Sequence, residues 1–287
     1  MKIAYVVGNE NPQDPDPDLD IPFAKAAAEA LKIDLVFTNW NDEQISWSDF
    51  DAAVIRSTWD YVPVRDRFLK KTKEISNETK LFNPHDVMSW NTDKKYLLDL
   101  EAKGVPIIPT KFVHNIEEAK EGISWAFNKA NSIAIKPTVG AGARLAGKAN
   151  SAPEAFTLVE EILKVNRVAM IQPYVSSVDE EGEKAIIIIN GQISHAARKV
   201  PALTLGGHGD AAGALEITDE IVEIVRTVSG AVKEWDDLLF ARVDVVRLDN
   251  ELVLMELELT EPWLFMQFRQ EAGIDLFKAL EKRISRE

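Results

Sequence analysis

The stretch FARVDVVRLDNELVLMELELTEPW, residues 240–263, decides the reading of this chain. It reads as two strands, 241–248 and 251–259, joined by a tight turn at Asp249-Asn250, residue types that tolerate left-handed backbone angles. Side chains alternate across a strand with a period of two. Arg242 and Asp244 therefore share a face of the first strand. In the second, Val253, Met255, Leu257 and Leu259 are expected on one face, with Glu256 and Glu258 on the other. Pairing the strands brings three carboxylates and an arginine onto one patch of sheet. Such carboxylates repel unless a cation sits among them, and an oxygen-only set without Cys or His favours Mg²⁺ or Mn²⁺ over zinc. The alternative is a solvated face of an exposed hairpin, against which the apolar neighbours of each acid argue.

The chain has 287 residues, 46% hydrophobic and 28% charged, as expected of a globular protein of two or more domains. It has no cysteine, which excludes disulfides, thiolate zinc sites and cysteine nucleophiles. The start, MKIAYVVGNE, lacks the apolar core of a signal peptide, and no apolar run has the length of a membrane span. A cytoplasmic enzyme or binding protein is the expectation, with no membrane partner. A net charge of −14 argues against a nucleic-acid partner but leaves room for an anionic small ligand held by a local basic cluster.

In chain order, a strand at 2–8 precedes an acidic, proline-rich loop, a helix over 23–31 and strands within 34–40 and 51–59. This order suits a doubly wound α/β domain, whose ligands sit beyond the carboxyl ends of the strands. The stretches 9–17 and 56–61 fall there. Arg56, Ser57 and Trp59 suit a carboxylate-bearing small molecule, the alternative being that Trp59 covers the core and Arg56 pairs with an acid. Helices follow over 65–77 and from a cap at Asn91, Thr92 or Asp93 to Gly104. Lys94 then falls in a first helical turn, where a bound phosphate would offset the unfavourable helix dipole.

After a helix over 117–131, Lys136 ends an apolar strand and opens a loop containing Gly140, Gly142 and Gly147. Residues 142–148, GARLAGK, nearly spell a P-loop, but Ala149 replaces the required Ser or Thr and no helix follows directly, so that reading is rejected. What remains is a lysine at a strand end beside a Gly-rich flap able to cover phosphates. A helix over 156–164 and a strand within 168–175 follow. Two strands then flank Asn190-Gly191, and a Gly-rich loop at 205–213 carries His208, more often incidental than catalytic in such a place. Helices over 219–235 and 275–283 complete the reading.

This ordered series resembles the ATP-grasp superfamily of ATP-dependent carboxylate ligases. ARVDV…LMELELTEP is similar to the GRIDV…LLEANTSPG pattern of D-alanine–D-alanine ligases and the GLDII…EINVTSP pattern of glutathione synthetases. MIQPYVSSVDEEGEKAIIIINGQISHAARKV looks like the bacterial glutathione synthetase segment from the adenine hinge onward. The ELELTEP wording, with RSTWDY upstream, is most similar to a subset that includes the cycloserine-forming ligase. The resemblance implies an α/β (α+β) ATP-grasp fold: an N-terminal substrate domain at 1–88, a central subdomain at 89–175 and a metal-bearing subdomain at 176–287.

It also implies ATP and two Mg²⁺ (or Mn²⁺) ions as cofactors. Lys94 and Lys136 would contact ATP phosphates under the loop 138–142, with Thr138, Gly140 and Gly142. Gln172, Tyr174 and Val175 would form the adenine hinge, and Glu183 would take the ribose hydroxyls. Arg242 would steady the transferred phosphoryl group, and Asp244, Glu256 and Glu258 would hold the metal ions. Arg198 and Lys199 lie where a substrate or phosphate cation is often placed. Glu258 departs from the usual Asn. The reaction implied is activation of a small-molecule carboxylate as an acyl phosphate, then attack by an amine, in a protein often homodimeric. An intramolecular ring closure and a non-catalytic ATP-binding regulator stand as alternatives.

Overall fold

The computed structural model describes residues 1–9, 18–200, 203 and 211–285. Strands β1 (Lys2–Val7), β2 (Asp34–Asn39), β3 (Ala52–Ile55) and β4 (Lys80–Phe82) form a parallel sheet in the order β2-β1-β3-β4. Its strands are apolar on both faces because both are packed. Ile3 and Tyr5 meet Ala24, Ala27 and Phe277 on one side. Ala4 and Val6 meet Trp40 and Phe68 on the other. The strand order reverses between β1 and β3, which marks the crevice beyond their carboxyl ends as the place for a ligand.

Strands β5 (Lys111–Val113), β6 (Ile133–Pro137), β7 (Gly147–Ala149) and β8 (Ala169–Pro173) make a second, antiparallel sheet ordered β5-β8-β6-β7. Helices Ile116–Phe127 and Ala152–Lys164 cover it, each with a capped first turn. Asn115 accepts from the Glu118 N–H at 2.9 Å, and Ser151 accepts from the Glu154 N–H at 3.5 Å. Lys148 lies within β7, so the near-P-loop sequence feeds a strand rather than a phosphate-binding helix.

The third sheet is antiparallel, ordered β11-β10-β9-β12-β13: β9 (Glu183–Ile189), β10 (Gln192–Lys199), β11 (Ala211–Leu215), β12 (Phe240–Leu248) and β13 (Glu251–Glu258). Both hairpin turns adopt left-handed backbone, with φ of 51° and 77° at Asn190-Gly191 and 49° and 70° at Asp249-Asn250. Ile186, Ile188, Val243 and Leu257 pack on Ile221, Ile224 and Val228 of helix Asp219–Ala231. The opposite face places Ile187, Ile189 and Phe240 against Leu276 and Phe277 of helix Ala272–Ile284. Each such buried side chain contributes about 1.5–3 kcal/mol. That last helix returns to the first sheet's helix Ile21–Leu31, where a Cβ on Gly273 would stand 3.0 Å from the Phe23 carbonyl oxygen.

Two expectations are corrected. The pairing of β12 with β13 shifts between Asp244 and Val245. Beyond the shift Val253 and Met255 pack with Val175 and Val246, while Leu252 and Leu254 join Leu257 and Leu259 in the other core. The four residues Val253, Met255, Leu257 and Leu259 therefore do not share a face, because the bulge inserts one residue and reverses the alternation. The helix expected from a cap at Asn91, Thr92 or Asp93 up to Gly104 runs only over Tyr96–Ala102, an unexpected helix His85–Asn91 precedes it, and Lys94 lies in the turn between the two rather than in a first helical turn. The interruption serves β13, an edge strand. Asn91 Nδ2 donates to the Leu257 carbonyl at 2.7 Å, Asn91 Oδ1 accepts from the Leu259 N–H at 2.8 Å, and Tyr96 Oη accepts from the Leu257 N–H at 2.8 Å. An open strand edge is thereby closed.

Candidate active site

Register brings the acidic patch together. Arg242 lies opposite Glu258 and Asp244 opposite Glu256. Arg242 donates from Nε to Asp244 Oδ1 at 2.9 Å and from Nη2 to Asp244 Oδ2 at 3.0 Å, and Nη2 also bonds Glu258 Oε1. Lys199 Nζ stands 2.8 Å from Asp244 Oδ2 and 2.9 Å from Glu183 Oε2, and Lys94 Nζ stands 2.9 Å from Glu256 Oε1. Burial pushes the Asp244 carboxyl up, but Arg242 and Lys199 outweigh it and hold the group below the usual carboxylate range. Glu258 differs. Burial, opposed by Arg242 and helped by Glu256 and Asp244, pushes its carboxyl up to about 7.

The three carboxylates are hard oxygen donors on one sheet face, the type Mg²⁺ prefers. Among the described residues no group of three His, Cys, Asp or Glu has metal-holding spacing. The Arg242 guanidinium bonds both Asp244 and Glu258, and lysines take Asp244 and Glu256. Cations already answer these charges, and the raised Glu258 carboxyl is a group that a further cation would relieve. The donor set fits a divalent ion in kind.

A cavity of about 670 Å³ opens over this patch and extends to the first sheet. Lys94 is fixed there by its backbone N–H to the Thr138 carbonyl at 2.8 Å and its Nζ to the Gly140 carbonyl at 3.0 Å. Burial lowers the Lys94 ammonium, but Glu256 and Glu258 more than compensate and hold it above its ordinary value. Lys136 lines the same cavity with no hydrogen-bonded or ion-paired partner among the described residues, and burial holds its ammonium below the ordinary value. Gly140, Gly142 and Glu183 also line it. Thr138 is 2% exposed and reaches the site through its carbonyl contact with Lys94.

Gln172, Tyr174 and Val175, expected to form an adenine hinge, lie outside the cavity lining. Gln172 is buried and donates to Thr110 Oγ1 at 2.8 Å, and Tyr174 Oη donates to Asp179 Oδ1 at 2.5 Å beneath the Lys148 ammonium. Val175 packs with Val253 and Met255. Met255, brought into the lining by the bulge, was not singled out from the sequence.

Two basic residues do not reach the site. Arg56 is 1% exposed and lies beneath the cavity floor, donating from Nη2 to Asp20 Oδ2 at 3.0 Å and to the Pro262 carbonyl at 2.8 Å. It pairs with an acid and is not part of the cavity lining, although its Nε and Nη1 are buried without a hydrogen-bond partner among the described residues. Arg198 is exposed and its stem lies over Gly182, because its neighbour Lys199 takes the inward position on β10. Ser57 and Trp59 do line the cavity, and the Trp59 indole N–H donates to the Glu261 carbonyl at 3.0 Å. Glu261 itself went unremarked in the sequence, although an acid directly after an acidic strand and before a proline was a usable signal. Burial, reinforced by Glu258, pushes its carboxyl up to about 8. His208 and residues 10–17 and 205–210 lie outside the described residues.

The chain is similar to known proteins over nearly its whole length. The family described as prokaryotic glutathione synthetase, ATP-grasp domain, matches residues 106–272. The D-cycloserine synthetase DcsG N-terminal domain matches residues 3–83. The chain is 30% identical over 282 residues to the cycloserine biosynthesis protein DcsG of Streptomyces lavendulae, covering 93% of this chain and 94% of that protein. The crystal structure of D-cycloserine synthetase DcsG superposes with a TM-score of 0.89 at 28% identity, covering 99% and 100% of the two chains. D-alanine–D-alanine ligase from Bacillus anthracis, complexed with ATP, shares the fold with a TM-score of 0.72 at 16% identity, over 100% of this chain and 98% of that one. No helix among the described residues is long and apolar enough to cross a membrane.

Proposed function

Since the chain belongs to the prokaryotic glutathione synthetase ATP-grasp family and is an ATP-dependent, ADP-forming carboxylate–amine ligase, we propose that its cavity activates a small amino-bearing carboxylate beside Arg242. The observation that carries this reading is the convergence on one cavity of Arg242, Lys94, Lys136 and Lys199 with Asp244, Glu256 and Glu258. Mg²⁺ held by those three acids would neutralise charge on the phosphates when bound. Lys94 and Lys136 supply positive charge beneath the 138–142 flap, and Arg242, held above its ordinary pKa against the cost of burial by Asp244 and Glu258, stays cationic at any working pH. The wall of Trp59, Trp263 and Met255 excludes water that would hydrolyse an activated acid.

Ring closure within one molecule is a second reading, favoured by near full-length similarity to a protein named for cycloserine biosynthesis. Carboxylate labelled with ¹⁸O is expected to pass label to phosphate only when Mg-ATP and substrate are both present, and Glu256→Gln should abolish it. A product lighter than its single precursor by one water identifies ring closure, and a product joining two molecules identifies intermolecular ligation. Phosphate free of label would refute acyl activation.

A further inference from the structure

Three consecutive carbonyls of the flap accept from residues outside it. The Lys94 N–H donates to the Thr138 carbonyl at 2.8 Å, and Lys94 Nζ donates to that of Gly140 at 3.0 Å. Between them, the Val139 carbonyl accepts from Arg167 Nη1 at 3.3 Å. The second arm of that guanidinium, Nη2, donates to the Val62 carbonyl at 3.2 Å. Val62 belongs to the short helical turn Trp59–Val64, which follows β3 of the first sheet. One side chain thus holds the flap on one arm and a loop of the first sheet on the other.

Local structure places Arg167 for this. Helix Ala152–Lys164 ends at Val165, and Asn166 takes a left-handed backbone, φ 57°, which stops the helix and turns the chain back. The following residue is pinned to the root of the flap, because the Val168 carbonyl accepts from the Thr138 N–H at 3.0 Å. Among the described residues no carboxylate is ion-paired with Arg167. Burial holds its guanidinium below the ordinary value, and no acid offsets that cost. Its charge is spent on two carbonyls from separate segments, a reach that the planar fork of an arginine has and a lysine lacks. Arg167 itself does not line the cavity.

Both segments that it joins do line the cavity: Trp59, Asp60, Tyr61 and Val62 from one, Gly140, Ala141 and Gly142 from the other. Val139 and Ala141 also pack against the apolar cluster that contains Trp40, Tyr61 and Val62. The Trp59 indole N–H on the Glu261 carbonyl ties the same wall to the segment after β13. The flap's contact with Lys94 Nζ is less secure. That ammonium is shared with Glu256, and a phosphate arriving beside it competes for the same donor. Arg167 stands outside the lining and is not drawn away. We propose that Arg167 is a positioning residue, a latch that makes the flap 138–142 and the wall 59–62 close over the cavity as one piece. Ordering of the flap by nucleotide then also orders the wall on the first-sheet side, a coupling between the two parts of the site. The inference rests on the ligase reading for what the flap covers, and goes beyond it in joining the two segments.

The test is hydrogen–deuterium exchange of the whole protein, read by mass spectrometry, with and without the ATP analogue AMP-PNP and Mg²⁺. Without nucleotide, Arg167→Met should exchange roughly 10-fold faster than wild type in both 138–146 and 59–64, the scale of a hydrogen bond from a charged donor. Peptides from β12 should be unchanged. Acceleration that includes β12 would mean that Arg167 supports the fold as a whole, and overturns the latch. So does exchange within about twofold of wild type in either segment. Arg167→Lys keeps the charge without the fork and should leave at least one of the two segments fast. Wild-type exchange in both segments of that variant overturns the two-armed bridge. AMP-PNP should slow both segments in wild type, but only 138–146 in Arg167→Met. Protection confined to 138–146 in wild type overturns the coupling. Failure of AMP-PNP to bind wild type in a calorimetric titration would strike the ligase reading beneath, while the nucleotide-free comparison still decides the latch.

Discussion

Arg56 Nη2 donates to the carbonyl of Pro262 at 2.8 Å, tying the end of β3 to the segment that presents Glu261. The same nitrogen holds Asp20, whose carboxylate accepts from the Leu264 N–H at 2.6 Å and the Met266 N–H at 3.0 Å. One buried ion pair therefore fixes residues 262–266 against the first sheet. Arg56→Met should lower stability by about 3–5 kcal/mol, the usual result of removing one partner of a buried pair. The urea midpoint checks it. A residue that met substrate would raise KM and leave that midpoint in place.

Asp244 is 0% exposed between Arg242 and Lys199. Asp244→Ala leaves two buried cations facing each other and should cost about 3–5 kcal/mol. Asp244→Asn keeps the shape and loses the charge. Its expected effect is a fall in Mg²⁺-dependent ADP formation of roughly 10²-fold or more, measured by coupled assay across a Mg²⁺ titration. Unchanged Mg²⁺ dependence would remove Asp244 from the proposed metal set.

The hairpin carrying Asp244 was legible in the sequence for a definite reason. Asp249-Asn250 can adopt φ of 49° and 70°, and alternation then sets Arg242 opposite Glu258. The bulge beyond Asp244 was not legible, because LVLM is apolar at every position and reads alike in either register. Arg198 and Lys199 could not be told apart for a similar reason. Ala196 and Ala197 before them are both buried, so β10 gives no inside–outside signal. The two readings of Arg56 could not be separated because its partner, Asp20, is 36 residues away, beyond a helix and two strands. Local pattern gives facing, and long-range pairing decides which charged groups remain free for a ligand.

Gly8 ends β1 at the mouth of the cavity, where its N–H donates to the Ser57 carbonyl at 2.7 Å. A Cβ there would stand 2.1 Å from Asp60 Oδ1, an atom already accepting from the Trp40 indole at 2.8 Å. Gly8→Ala should displace Asp60, at a cost of about 1–3 kcal/mol for overpacking. It should also raise the KM for the amino-bearing acid while leaving Mg-ATP affinity in place, because the lysines proposed to meet the nucleotide are carried by other elements of the lining. Steady-state kinetics with each substrate varied in turn checks the split.

His195 gives the pH dependence. Its Nε2 lies 2.8 Å from the Leu264 carbonyl oxygen and 3.2 Å from that of Phe265, so Nε2 carries the proton. Nδ1 faces the Ser194 hydroxyl at 2.9 Å, and Arg269 donates to that hydroxyl at 2.9 Å. Burial, the largest cause, holds the imidazole below its ordinary pKa, although the two carbonyls oppose the shift. The unfolded chain then takes up a proton first as pH falls. The native advantage is complete above the unfolded pKa of about 6.5 and is lost as pH drops toward the depressed native value. Urea unfolding of wild type and His195→Gln from about pH 8 to pH 5 isolates this residue, since every other group titrates in both proteins. The stability difference between them should narrow as pH falls below about 6.5. A difference that stays constant would mean that His195 keeps an ordinary pKa within the fold.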